Sequence, residues 1–216
     1  MGQQSDQITT ALLRERLAGT HLPADPTDVT MPPGSENWPA DMRKALTESL
    51  QPAGVLIPVI ERETSLTVLL TRRSAELKHH AGQISFPGGR MEVNDPDIQA
   101  TALRETHEEV GIPPDKVTVI GYLDPMPTVT GYAVTPVIGV IEGPDTLDID
   151  HREVELAFEV PLAFLLDKRN ATASEREFRG RKVAIIEFLY EQHRIWGATA
   201  YMLVELREKL IKNKNI

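Results

Sequence analysis

Glu105, Glu108 and Glu109 fall within one turn of a candidate helix, in the stretch ALRETHEEVG at 102–111. Successive helical residues step by about 100° around the axis, so Glu105 and Glu109 nearly superpose and Glu108 lies beside them. Carboxylates crowded on one side repel each other, and one or more of their pKa values rises. They also sit at the C-terminal end of the helix, where negative charge is disfavoured. Arg104 reaches Glu108 at i+4 and offsets part of the repulsion. A hard divalent cation, Mg²⁺ or Mn²⁺, resolves the conflict, because it takes oxygen ligands, keeps several waters and shares the rest of its shell with substrate phosphates. The competing reading is a solvated acidic face. That reading must also explain why Gly88-Gly89 stands just ahead of the helix and why the charge gathers at the unfavourable end.

Other residues near this segment could assist. Gly88 and Gly89 let a loop take backbone angles closed to other residues and approach a ligand closely. Arg72, Arg73 and Lys78 precede that loop. Arginine forks suit phosphate, and ordinary surface charge is the alternative for each of the three. His80 either donates to a phosphate or holds the loop by hydrogen bonds. Glu153 and Glu155 follow a loop; either could approach the metal as a general base, and a plain surface strand carboxylate is the competing and commoner reading. Tyr132, after Thr130-Gly131, either stacks on a base or packs on the core. Other chemistries lack residues. There is no cysteine, hence no thiolate nucleophile or disulfide framework. There is no GxSxG elbow and no GxxxxGK[ST] loop.

The elements that position these residues follow from pattern and punctuation. The spacing predicts helices over 7–18 and 40–50, joined by a Pro-rich stretch from Pro23 to Pro39. Apolar runs at 54–60 and 66–71 predict a hairpin, and GQISF at 82–86 predicts a short strand. Asp95-Pro96 reads as N-cap and first helical position, and Gly111 followed by Pro113 and Pro114 as the stop. The helix is thus expected over 96–110, with Ile98, Ala102, Thr106 and Val110 as its buried stripe. Further strands are expected at 116–123, 133–141, 153–160, 174–179 and 182–190. Short and long helices are expected at 161–166 and 198–212. The fold class is α/β (α+β), a mixed sheet sandwiched between α-helices. Residues 1–50 read as an N-terminal extension and 51–216 as the main domain. The net charge of −9 over 216 residues argues against a broad nucleic-acid surface. No run of about 18 apolar residues appears, so no membrane span is expected, and the start MGQQSDQITT, with no basic and no apolar stretch, does not read as a signal peptide. A cytoplasmic location is expected, and a homodimer remains open.

The segment resembles the Nudix box: Gly, five residues, Glu, seven residues, then Arg-Glu-aliphatic-x-Glu-Glu-x-Gly-aliphatic. Gly89 takes the first position, and Arg104-Glu105-Thr106-His107-Glu108-Glu109-Val110-Gly111-Ile112 takes the second half. Asp95 stands where the pattern has its first Glu, eight residues separate it from Arg104, and Thr106 replaces the aliphatic residue. Upstream, LLTRRSAELKHHAGQISFPGG at 69–89 resembles the signature of the coenzyme A pyrophosphatase branch, LLTxRSxxLxxHxGQxxFPGG. The stretches EVELAFEVPLAFLL (153–166) and IWGATA (195–200) resemble later elements of that branch, and the likeness spans about 54–206. The resemblance implies a Nudix-type fold and metal-dependent hydrolysis of coenzyme A and its thioesters to 3′,5′-ADP and (acyl-)4′-phosphopantetheine. Glu105, Glu108 and Glu109 would be the metal ligands, Arg104 would orient them, and Arg72, Arg73 or Lys78 would meet the 3′-phosphate. A Nudix hydrolase of ADP-ribose or another dinucleotide is the first alternative. A non-catalytic nucleotide-sensing module is the second.

Overall fold

A computed structural model of the chain describes residues 8–77, 80–143, 146–178 and 180–212. In chain order the elements are α1 (Thr10–Leu17), α2 (Ala40–Ala45), β1 (Gln51–Glu61), β2 (Leu66–Arg73), β3 (Ile84–Ser85), β4 (Gly88–Arg90) and α3 (Ile98–Val110). There follow β5 (Val117–Tyr122), β6 (Met126–Pro127), β7 (Tyr132–Glu142), β8 (Val154–Pro161), α4 (Leu162–Leu166), β9 (Ala171–Phe178), β10 (Arg181–Tyr190), β11 (His193–Trp196) and α5 (Ala198–Lys212). The expected elements are all present. Helix α2 stops at Ala45, short of 50. The short strands β4, β6 and β11 add to the expected set.

The main sheet is mixed and eight-stranded. Strands β1 and β7 run parallel at its centre, Gln51 opposite Tyr132 through Glu61 opposite Glu142. The other pairings are antiparallel, with β2 and β4 on β1, β8 and β3 on β2, and β5 and β6 on β7. Both central strands are nearly continuous apolar runs, as a strand covered on both faces must be. Ile57, Val59, Ile138 and Val140 face a core closed by α1, α4 and α5, which contribute Leu13, Leu17, Leu162, Leu165, Leu203 and Leu206. Leu56, Ile60, Val137 and Ile141 face α3. The mixed sheet thus lies between helices, as its sequence pattern implied. Strands β9, β10 and β11 form a separate three-stranded antiparallel sheet.

The N-terminal segment is tied to this framework. Leu17 is fully buried, and Gly121 on β5 is close enough that a Cβ there would stand 2.6 Å from the Leu17 Cβ. The Tyr122 N–H donates to Thr20 Oγ1 at 2.9 Å, which satisfies a backbone group on the sheet's β5 edge.

The start of α3 corrects one expectation. Asp97, not Asp95, is the N-cap; its carboxylate accepts from the Ala100 N–H at 2.8 Å. The stripe Ile98, Ala102, Thr106 and Val110 is buried as expected. Helix α3 lies directly on β1 because residue 54 is glycine: a Cβ there would meet the Ile98 carbonyl oxygen at 2.5 Å and the Ala102 nitrogen at 3.1 Å.

Candidate active site

Glu105 and Glu109 project from α3 toward β4. A Cβ on Gly89 would stand 2.5 Å from Glu105 Oε2, so only glycine leaves room for that carboxylate. The Gly88 N–H donates to Glu109 Oε2 at 3.3 Å. Gly88 has φ of 152°, in the region that favours glycine, and a Cβ there would meet the Val55 Cα at 2.6 Å. Pairing with Gly54 and Val55 of β1 holds both glycines in place.

Arg104 organises the outer side of this cluster. Its guanidinium forks onto Asp95, with Nε to Oδ1 and Nη2 to Oδ2 both at 2.9 Å, while Nη1 reaches Glu105 Oε1 and Glu108 Oε2, also at 2.9 Å. Asp95 further accepts from the Thr101 hydroxyl and the Glu92 N–H. Asp95 therefore anchors Arg104 and is not the helix cap. The Arg104 hydrogen bonds hold the Asp95 carboxyl well below the ordinary carboxylate range and raise the guanidinium in turn. Glu108 extends into solvent, its side chain 58% exposed.

Glu109 is the opposite case, its side chain 3% exposed. Burial pushes its pKa up to about 8, with Arg73 opposing and the charges of Glu105 and Glu153 adding to the rise. Glu105 is raised as well, first by burial. A buried carboxylate is costly to ionise without a nearby positive charge, and the nearest is Arg73, with Nη1 at 3.5 Å from Glu109 Oε1. Arg73 Nε is buried without a hydrogen-bond partner among the described residues.

The two adjacent arginines do not converge. Val68 and Leu70 of β2 belong to the core under α5, and Leu69 to the core under α3. Strand alternation carries Arg73 to the α3 side, and Arg72 to the other, where it pairs with Glu155 at 2.9 Å. Arg72 and Arg73 therefore meet different carboxylates, Glu155 and Glu109. Lys78 lies outside the described residues. Both His80 ring nitrogens are engaged, Nδ1 with Gln83 Oε1 at 2.7 Å and Nε2 with Thr130 Oγ1 at 3.2 Å. Tyr132 packs against the main core.

The end of α3 is closed by the loop before β8. The Asp150 N–H donates to the Glu109 carbonyl at 3.1 Å and the Asp148 N–H to the Val110 carbonyl at 3.2 Å, satisfying carbonyls that a helix end leaves open. Gly111, at φ 74°, turns the chain there, with Asp148 in close contact. A surface cleft of about 370 Å³ opens beside this junction, lined by His107, Glu108, Gly111, Asp148, Asp150 and Arg152 among others.

Comparison with known proteins decides the family. The family model described as "NUDIX domain" matches residues 50–201. The chain belongs to the Nudix family. Among curated Nudix relatives, a Photorhabdus laumondii protein described as "Uncharacterized Nudix hydrolase NudL" is 41% identical over 167 residues, covering 77% of this chain and 89% of its own. A Pectobacterium atrosepticum protein of the same description is 44% identical over 156 residues, covering 71% and 80%. The crystal structure of a MutT protein from Methanosarcina mazei aligns with a TM-score of 0.47 at 18% identity, over 78% of this chain and 99% of that one. The chain is a Nudix pyrophosphohydrolase.

Nudix hydrolases use divalent metal ions, and the carboxylates fit such an ion by type: oxygen donors, two of them buried enough to gain from a counter-charge. As placed, they are turned onto Arg73 and Arg104, and among the described residues no three His, Asp or Glu side chains stand close enough together to hold an ion. Among the described residues, no helix is long and apolar enough to cross a membrane.

Proposed function

We propose that the chain hydrolyses the diphosphate bond of coenzyme A and its thioesters, giving 3′,5′-ADP and (acyl-)4′-phosphopantetheine. One observation carries the reading: LLTRRSAELKHHAGQISFPGG at 69–89 supplies Arg73, Gly88 and Gly89 to the same place as Glu105 and Glu109. The stretch that resembles the coenzyme A branch is therefore part of the site's wall.

In this reading Glu105, Glu108 and Glu109 hold Mg²⁺ or Mn²⁺, and Arg104, fixed by Asp95, orients Glu105 and Glu108. When bound, the ion neutralises charge on the diphosphate oxygens. Arg73 turns its free Nε toward a phosphate, and the open backbone at Gly88 and Gly89 lets the diphosphate approach closely. Arg72, on the far side of β2, and Lys78 are the cations proposed to meet the 3′-phosphate. His80 bridges Gln83 and the turn at Thr130.

A product assay by mass spectrometry tests the reading, using the full chain with Mg²⁺ across coenzyme A, an acyl-coenzyme A, ADP-ribose and NADH. Release of 3′,5′-ADP from the first two is expected. Turnover confined to ADP-ribose or NADH overturns the coenzyme A assignment and favours a different nucleoside diphosphate derivative.

A further inference from the structure

We propose that Glu153 is the catalytic base, the side chain that takes a proton from the water attacking the diphosphate. The proposal rests on the pyrophosphohydrolase activity and deepens the reading of the same site.

The backbone fixes Glu153 from two directions. Toward α3, the Asp150 N–H is bonded to the Glu109 carbonyl, and the Asp150 carbonyl accepts from the N–H groups of Glu153 at 3.0 Å and Val154 at 2.9 Å. Toward β2, the Glu153 carbonyl accepts from the Ser74 N–H at 2.8 Å, and Val154 is the register partner of Arg73. Glu153 is thus bonded to Asp150, which holds the Glu109 carbonyl, and to Ser74, which follows Arg73. It sits in a turn and not within the strand, so alternation does not turn it away from the site.

The state of its side chain separates it from the carboxylates of Glu105, Glu108, Glu109, Asp150 and Glu155. Asp150 is held by Arg152, Glu155 by Arg72 and Glu108 by Arg104. Glu109 is sealed from solvent. Glu153 is exposed, and its carboxylate makes no hydrogen bond or ion pair among the described residues. A general base needs access to water and a free acceptor lone pair, and this residue has both.

The step balances. The water oxygen bonds to one phosphorus and its proton passes to the Glu153 carboxylate. The bond from that phosphorus to the bridging oxygen breaks, and its electron pair leaves with the second phosphate. The carboxyl proton then returns to solvent or to that phosphate.

Glu153→Gln and Glu153→Asp in the full chain, assayed with Mg²⁺ on both coenzyme A and ADP-ribose, test the assignment. Glu153→Gln should lower kcat about a hundredfold, in line with loss of a general base, with KM unchanged. Its rate should keep climbing with hydroxide concentration where the parent levels off. Glu153→Asp should recover part of kcat. A Glu153→Gln kcat within a few-fold of the parent overturns the proposal, as does a loss carried by KM with the parent's pH profile intact. A parent that cleaves ADP-ribose but not coenzyme A removes the substrate reading while the Glu153 comparison proceeds on ADP-ribose. Turnover of neither compound overturns both.

Discussion

Glu109 is the residue at which burial and charge conflict most. Its folded pKa of about 8 lies above its ordinary 4.5, so the metal-free folded protein holds that proton more tightly than the unfolded chain does. The stability this contributes is present below about pH 4.5 and is lost as pH rises through 8. Metal-free protein should therefore melt at a lower temperature at pH 8 than at pH 5, and Glu109→Gln should flatten that slope. An unchanged slope in the variant would show that Glu109 is not the source. With Mg²⁺ present, Glu109→Gln and Glu105→Gln should each lose about a thousandfold in kcat, the scale of a lost electrostatic contact to developing charge. Near-parent turnover in either would remove it from the site. Asp95 belongs to the same scale. Its fork to Arg104 joins residues nine apart in sequence, so Asp-Pro at 95–96 reads as a helix start although Asp97 caps the helix. Nothing local distinguishes two aspartates two residues apart. Asp95→Asn should cost about 1.5–3 kcal/mol, the range for hydrogen bonds to charged groups, as measured by denaturant unfolding.

Two glycines that look alike in sequence do different work as parts of elements. At Gly54 the added Cβ would strike α3 backbone, and at Gly89 it would strike the end of the Glu105 side chain. Backbone cannot give way and a side chain can. Gly54→Ala should therefore lose about 1–3 kcal/mol of stability, as overpacking does. Gly89→Ala should keep its melting temperature yet lose about a hundredfold in activity, the cost of a misplaced catalytic group. Equal melting losses in both would contradict this division. The long periodic elements are legible in the amino-acid pattern alone: α5 runs from Ala198 to Lys212 as expected, and the stripe of α3 is buried. Strands β4 and β11, of three and four residues, are not, because so short a stretch has no period and two glycines read as a turn. The box glutamates and their helix are legible from spacing. The parting of Arg72 from Arg73 is not, since it depends on which face of the sheet α3 covers.

At the scale of the molecule, the N-terminal segment completes one side of the sandwich, with Leu13 and Leu17 in the main core. Leu17→Ala should destabilise by about 2–5 kcal/mol, the range for a fully buried leucine, and lower the melting temperature without changing KM. A shift smaller than about 1 kcal/mol would mean that the segment rests on the core without supporting it. The alternation along β2 sets a different limit on the molecule. Leu69 and Arg73 share one face, Val68, Leu70 and Arg72 the other. Inserting or deleting one residue within 66–73 would exchange the faces of everything beyond it, carrying Arg73 away from Glu109 and putting Arg72 in its place. Changes of amino-acid type along this strand alter one contact at a time, whereas a change of length rearranges the site at once. A change of chain length should therefore be tolerated only in the connections around β2, and the spacing from Leu69 to Arg73 is a fixed dimension of the site.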